Sequence, residues 1–134
     1  MKKVILAIAL GLAMPMAAIA AEKEGLTPER YILIEMDTRT ATLEGMMQRL
    51  ELLKSDPENL EAQYLLDEQV RQKVNAAYSS RGTTANEHLA WYDSHYQAVE
   101  QWLARNPQSQ ALLDRIGQQF KALSEQISGL RGTN

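Results

Sequence analysis

The stretch TANEHLAWYDSHYQAVEQWLARNP, Thr84–Pro107, shows how the whole chain is built. Thr84 with Glu87 three residues later is a capping box, in which the two residues satisfy each other's orphan first-turn donors. Behind it, Leu89, Tyr92, Tyr96, Val99 and Leu103 recur at spacings of three and four. At about 100° per residue these positions line one side of a helix. Asn106-Pro107 then opens the next helix, with proline at a first helical position where its missing N–H costs nothing.

The same signals divide the rest of the chain. Thr27-Pro28-Glu29 and Asp56-Pro57-Glu58 each offer a side-chain oxygen followed by proline, and Gly82 after Arg81 has the place of a left-handed helix stop. Helices are therefore predicted at about 28–54, 57–80, 85–105 and 107–129, with no competing strand pattern. In the first, Leu33, Met36, Thr40, Leu43, Met47 and Leu50 form the apolar stripe. The second collects Leu60, Tyr64, Leu66, Val70, Val74, Ala77 and Tyr78 in one arc, and the fourth has Leu113, Ile116, Phe120, Leu123, Ile127 and Leu130. One buried face per helix and turns of a few residues predict an all-α fold, an antiparallel four-helix bundle made of two tandem helical hairpins. The paired openers Gly25-Leu26-Thr27-Pro28 and Gly82-Thr83-Thr84-Ala85 form a faint repeat, which shared capping chemistry explains without duplication.

The N-terminus reads as a secretory leader. Lys2 and Lys3 precede the apolar run Val4 to Leu12, and Ala18-Ile19-Ala20 places small residues where a signal peptidase reads them. Pro15 and the polar Glu22-Lys23-Glu24 interrupt the stretch before it reaches the roughly 20 apolar residues of a membrane span. The expectation is a signal peptide over 1–20, cleaved after Ala20, and a single helical domain over 21–134 in the periplasm, with no membrane association after cleavage. Loss of Lys2 and Lys3 leaves 12 basic residues against 17 acidic ones, a net charge of −5.

Composition removes several classes of chemistry. With no cysteine there is no disulfide, thiolate metal site, iron–sulfur cluster or covalent haem attachment. An acidic chain lacks the basic face that nucleic acid requires. No Gly-rich phosphate loop, His-Glu-x-x-His run or EF-hand loop is present. Asp93, Ser94 and His95 are consecutive, so on a helix they point about 100° apart and form no catalytic triad. The charged residues of the first helix, Glu35 and Arg39 among them, read as a solvated face with i,i+4 pairs.

The third helix carries the candidate binding residues. His88, Trp91, His95 and Trp102 lie on a second stripe beside the core stripe, joined by Tyr92 and Tyr96. Tryptophan and tyrosine are enriched at binding hot spots, yet a helix pressed between two neighbours also buries a wide arc; the sequence leaves seam and binding edge both open. His88 and His95, seven apart, stand about 10 Å from one another and cannot share one metal. A weaker surface is the stripe Ile34, Thr38, Ala41, Gly45 and Leu52 on the first helix, whose small residues would let another helix approach.

Two comparisons suggest functions. Leu26-Thr27-Pro28-Glu29-Arg30 resembles the Leu-Thr-x-x-Gln helix opener of small periplasmic stress chaperones of the Spy and CpxP type, with Arg30 in place of glutamine and an acidic instead of a basic chain. That resemblance implies a helical, chaperone-like protein. Architecturally, an exported four-helix bundle resembles cytochrome b562, which implies haem held between a methionine and a histidine, here Met36 and His95; the family's histidine lies on its last helix, which has none in this chain. The reading reached is a non-enzymatic helical binding or accessory protein without a cofactor, taking a protein or peptide partner. The alternative is a haem- or metal-binding electron-transfer bundle.

Overall fold

The computed structural model describes residues 25–132, so the leader expected over 1–20 lies outside the described residues. Four helices follow in order: α1 (Pro28–Ser55), α2 (Leu60–Ser79), α3 (Ala85–Arg105) and α4 (Pro107–Arg131). No strand occurs among the described residues, and the all-α class is as the sequence predicts.

Most boundaries follow from caps. Thr27 Oγ1 accepts the Arg30 N–H at 3.2 Å, and Thr84 Oγ1 accepts the Glu87 N–H at 3.2 Å. Gly82 has φ 71°, the left-handed conformation that a side chain would oppose, and lets the chain leave α2. Two signals act elsewhere than expected. Asp56 closes α1, its N–H donating to the Leu52 carbonyl at 2.7 Å. The cap of α2 is Asn59, whose Oδ1 accepts the Ala62 N–H at 3.0 Å while its Nδ2 donates to Asp56 at 2.9 Å. Pro57 therefore sits in the turn and not at the head of a helix. Asn106 makes no side-chain cap on α4; its Nδ2 donates back to the Trp102 carbonyl at 2.7 Å and closes α3.

Packing departs from the expected up-down-up-down bundle. Between α1 and α2 the contacts run in opposite order, with Arg49 paired to Asp67, Glu44 to Lys73 at 3.8 Å and Asp37 to Arg81 at 3.0 Å. That pair is an antiparallel hairpin. Against α4 the order rises instead: Ile32 clusters with Leu113, Leu43 and Met47 lie beside Gln119 and Leu123, and Leu50 and Leu53 pack with Ile127. Hence α4 runs in the same direction as α1, where the bundle required it to oppose. The reason lies in α3, which does not double back on α2 but runs on toward the start of α1, with Arg81 paired to Asp37, His88 beside Glu35 and Tyr92 on Tyr31; it also has a non-helical residue at His95 (φ −131°, ψ 15°). The single residue Asn106 then turns the chain back along the free side of α1.

α1 is consequently the central helix, about 42 Å long for 28 residues, with neighbours on two sides. Its burial is rotated from the predicted stripe. Leu43 and Leu50 are buried as expected, but Leu33, Thr40 and Met47 are exposed, while Tyr31, Ile34, Thr38, Gly45 and Leu53 are buried. The stripe of small residues read as a possible outer surface is the seat of α2. One core cluster gathers Tyr31, Ile32, Val99 and Leu113, and a second gathers Leu50, Leu53 and Ile127.

Candidate functional site

The polar and aromatic groups converge where α1, α2 and α3 meet. Thr84 and Gly82 set the angle at which α3 begins, and one turn later His88 enters the interior, only 3 % exposed. Its ring stacks on Tyr31, centroids 4.2 Å apart and planes 10° apart, and meets the edge of Tyr78 at 5.3 Å. Nε2 lies 2.8 Å from Glu35 Oε1, and the other oxygen of that carboxylate accepts from Arg39 Nε at 2.8 Å. His88 Nδ1 is buried with no hydrogen-bond partner.

Electrostatics follow from that arrangement. Burial pushes the Glu35 carboxyl upward, but the hydrogen bond with His88 and the charge of Arg39 outweigh it and hold the group below its ordinary value of 4.5. Burial first, then the neighbouring Glu35 charge, push the Tyr31 hydroxyl well above its ordinary range. A carboxylate orienting an imidazole resembles half of an acid–base pair, but such a pair needs its outer nitrogen within reach of a substrate proton. Here that nitrogen is sealed between helices.

The other sequence-predicted residues divide by face. Trp91, Tyr92 and Trp102 are half-buried and pack against the Tyr31 cluster, with Tyr92 stacked on Tyr31 at 5.1 Å and Trp91 at 5.7 Å. The buried side of α3 lies between the two stripes: His88, Trp91 and Trp102 of the second turn to the core together with Tyr92, Val99 and Leu103 of the predicted core stripe, while Leu89 and Tyr96 of that stripe face outward. His95 is exposed at the bend, its ring stacked on Trp91 at 4.3 Å with the planes nearly parallel, its Nδ1 2.8 Å from the Trp91 carbonyl. Met36 packs into the Tyr31 cluster on α1. The structure therefore brings His88, Trp91 and Tyr92 together around Tyr31 and leaves Tyr96 outside that group. Among the described residues no group of three or more histidine and carboxylate side chains is placed to hold a metal.

Sequence reasoning missed Tyr31, Glu35 and Tyr78 as partners of His88. Glu35 is 53 positions from His88, and no periodicity within one helix reports a contact between helices.

Apolar surface is exposed in a cleft and on α2. A cleft of about 250 Å³ between α1 and α4 is lined by Leu43, Met47, Gln119, Ala122 and Leu123. On α2, Leu60, Tyr64 and Leu65 are 74 %, 64 % and 53 % exposed, and Leu66 is the one buried residue of that helix. No described helix is long and apolar enough to cross a membrane. No protein-family model, curated protein or solved structure matches the chain.

Proposed function

We propose that the protein is a small exported, non-enzymatic interaction module, chaperone-like in binding exposed apolar segments of other polypeptides. The observation that carries this reading is the patch at the start of α2. Leu60 and Tyr64 are one helical turn apart, hence neighbours on the surface, and Leu65 extends them around the helix. Three large apolar side chains left together in water mark an interaction site more often than scattered single ones do. Burial of His88 and the packing of Trp91, Tyr92 and Trp102 against the core favour α2 over the aromatic side of α3 as the contact surface in this reading.

The test is suppression of aggregation. The protein should slow light scattering by a reduced, unfolding client protein, and the triple variant Leu60→Ser/Tyr64→Ser/Leu65→Ser should lose most of that effect. Because the three side chains are already exposed, each replacement should change stability by only about 0.5 kcal/mol. Equal suppression by both proteins, or none by either, would refute the reading.

Export rests on the leader residues. Mass spectrometry of the protein recovered from a periplasmic extract should show a chain beginning at Ala21. A protein that keeps Met1 and stays with the membrane fraction would remove the proposed location.

A further inference from the structure

His88 is the buried pivot on which α3 rests. Facing it are Tyr31 and Glu35 from α1, with Arg39 on the far side of that carboxylate, and Tyr78 from α2. The Asp37–Arg81 ion pair closes a neighbouring link between α1 and the end of α2. On α3 itself the adjacent Glu87 turns to the Thr83 hydroxyl at 3.3 Å.

The consequences of adding protons at this pivot follow from the partners. A neutral ring donates Nε2–H to Glu35 and leaves a lone pair at Nδ1. A protonated ring places an N–H at Nδ1, where no acceptor stands, and becomes a buried cation whose counter-charge is Glu35. Once Glu35 is also protonated, the imidazolium is stranded inside with Arg39 close by. An unpaired buried charge is costly enough that the group is exposed or neutralised instead. Exposure is open to α3 without loss of the remaining fold, because α2 and α4 each hold α1 through contacts of their own.

We propose that the Glu35–His88 contact is an acid-operated latch, which on release lifts α3 from α1 and uncovers Tyr31, Ile32 and the inner ring faces of Trp91 and Tyr92. The direction agrees with Glu35, whose carboxyl is held below 4.5. Its contribution to stability is present above the unfolded value and is lost as pH falls through the folded one. The uncovered surface is apolar and aromatic, suited to bind unfolded polypeptide in acid, independently of the α2 patch.

The chain carries two tryptophans, Trp91 and Trp102, both on α3. On acidification from pH 7 to pH 3, the wavelength of tryptophan emission should therefore shift to the red, and binding of an apolar dye should rise severalfold, before far-UV ellipticity falls. Wavelength is the readout, since His95 on Trp91 affects intensity. His88→Phe keeps the stack on Tyr31 and removes the ring nitrogens, and it should stay closed at pH 3. His88→Gln serves the same purpose if the phenylalanine variant does not fold. Glu35→Gln retains the acceptor without the counter-charge and should open at higher pH than the wild type. The latch is overturned if the His88 variant opens at the wild-type pH, if Glu35→Gln opens no earlier, or if wild-type emission and ellipticity change together.

Discussion

Ile34→Asp should leave the protein unfolded at room temperature, whereas Leu33→Asp, one residue earlier, should cost less than about 1 kcal/mol. Ile34 has no exposed surface, and it lies on the side of α1 that also buries Thr38 and Gly45, the last of them against Val70 of α2. A carboxylate there forfeits the roughly 1.5 to 3 kcal/mol gained by burying an isoleucine. It adds the penalty of an unpaired charge, and together these reach the about 5 to 15 kcal/mol that hold a domain folded. Leu33 is 39 % exposed, so a charge there remains in water. Urea denaturation followed by circular dichroism separates the two outcomes. Similar losses at both positions would mean that α1 is not rotated as described, since the hydrophobic periodicity alone ranks Leu33 as the core residue.

Gly45→Ala should destabilise the protein by up to about 2 kcal/mol, although alanine is the better helix former by about 1 kcal/mol. A Cβ built on Gly45 falls 2.2 Å from Val70 Cγ2, which is inside the contact distance of two carbons. Val70 is branched at Cβ and has few rotamers with which to move aside. The helices must therefore part, and overpacking of this kind costs about 1 to 3 kcal/mol for small insertions. Gly45→Leu should cost more still. Val70→Ala removes the offending methyl groups, so the double variant Gly45→Ala/Val70→Ala should recover stability relative to the sum of the single changes, with a coupling of about 1 kcal/mol or more. Additive losses in that cycle would show that the close approach of α1 and α2 does not exist in solution.

The two substitutions act on one interface, and they show how far the sequence could be read. The stripe Ile34, Thr38, Ala41, Gly45 and Leu52 was legible as a place where a helix could come close. That the helix is α2 of the same chain was not, because an apolar or small stripe has the same periodicity whichever partner covers it. At the candidate site the outcome was similar. The aromatic density of α3 was plain, but the pivot formed by His88 with Tyr31, Glu35 and Tyr78 depends on three helices meeting. Glu35 belonged, on spacing alone, to a solvated face with Arg39; the Arg39 pair is present at 2.8 Å, and the buried partner is added on its other oxygen.

Helix content and most boundaries lay in local chemistry. A threonine oxygen reaching an N–H three residues on, a proline at a first helical position or a glycine at φ 71° acts over a few residues, so neighbouring letters suffice to state it. Even the misplaced start of α2 was a local error, in which Asn59 and not Asp56 supplied the cap. Direction and rotation of whole helices belong to another scale. Leu33 and Ile34 are both large, apolar and adjacent, and α1 buries one and not the other because α2 and α4 approach it from two sides. α4 follows α1 instead of opposing it because α3 runs on from α2 toward the start of α1 before the single residue Asn106 turns the chain. Hydrophobic burial is non-directional and rewards any partner that excludes water, so the pattern of apolar residues marks which sides of a helix can be covered. Which helix covers each side is decided by the angles of the connections and by contacts such as His88 with Glu35, and these exist only once the helices have met.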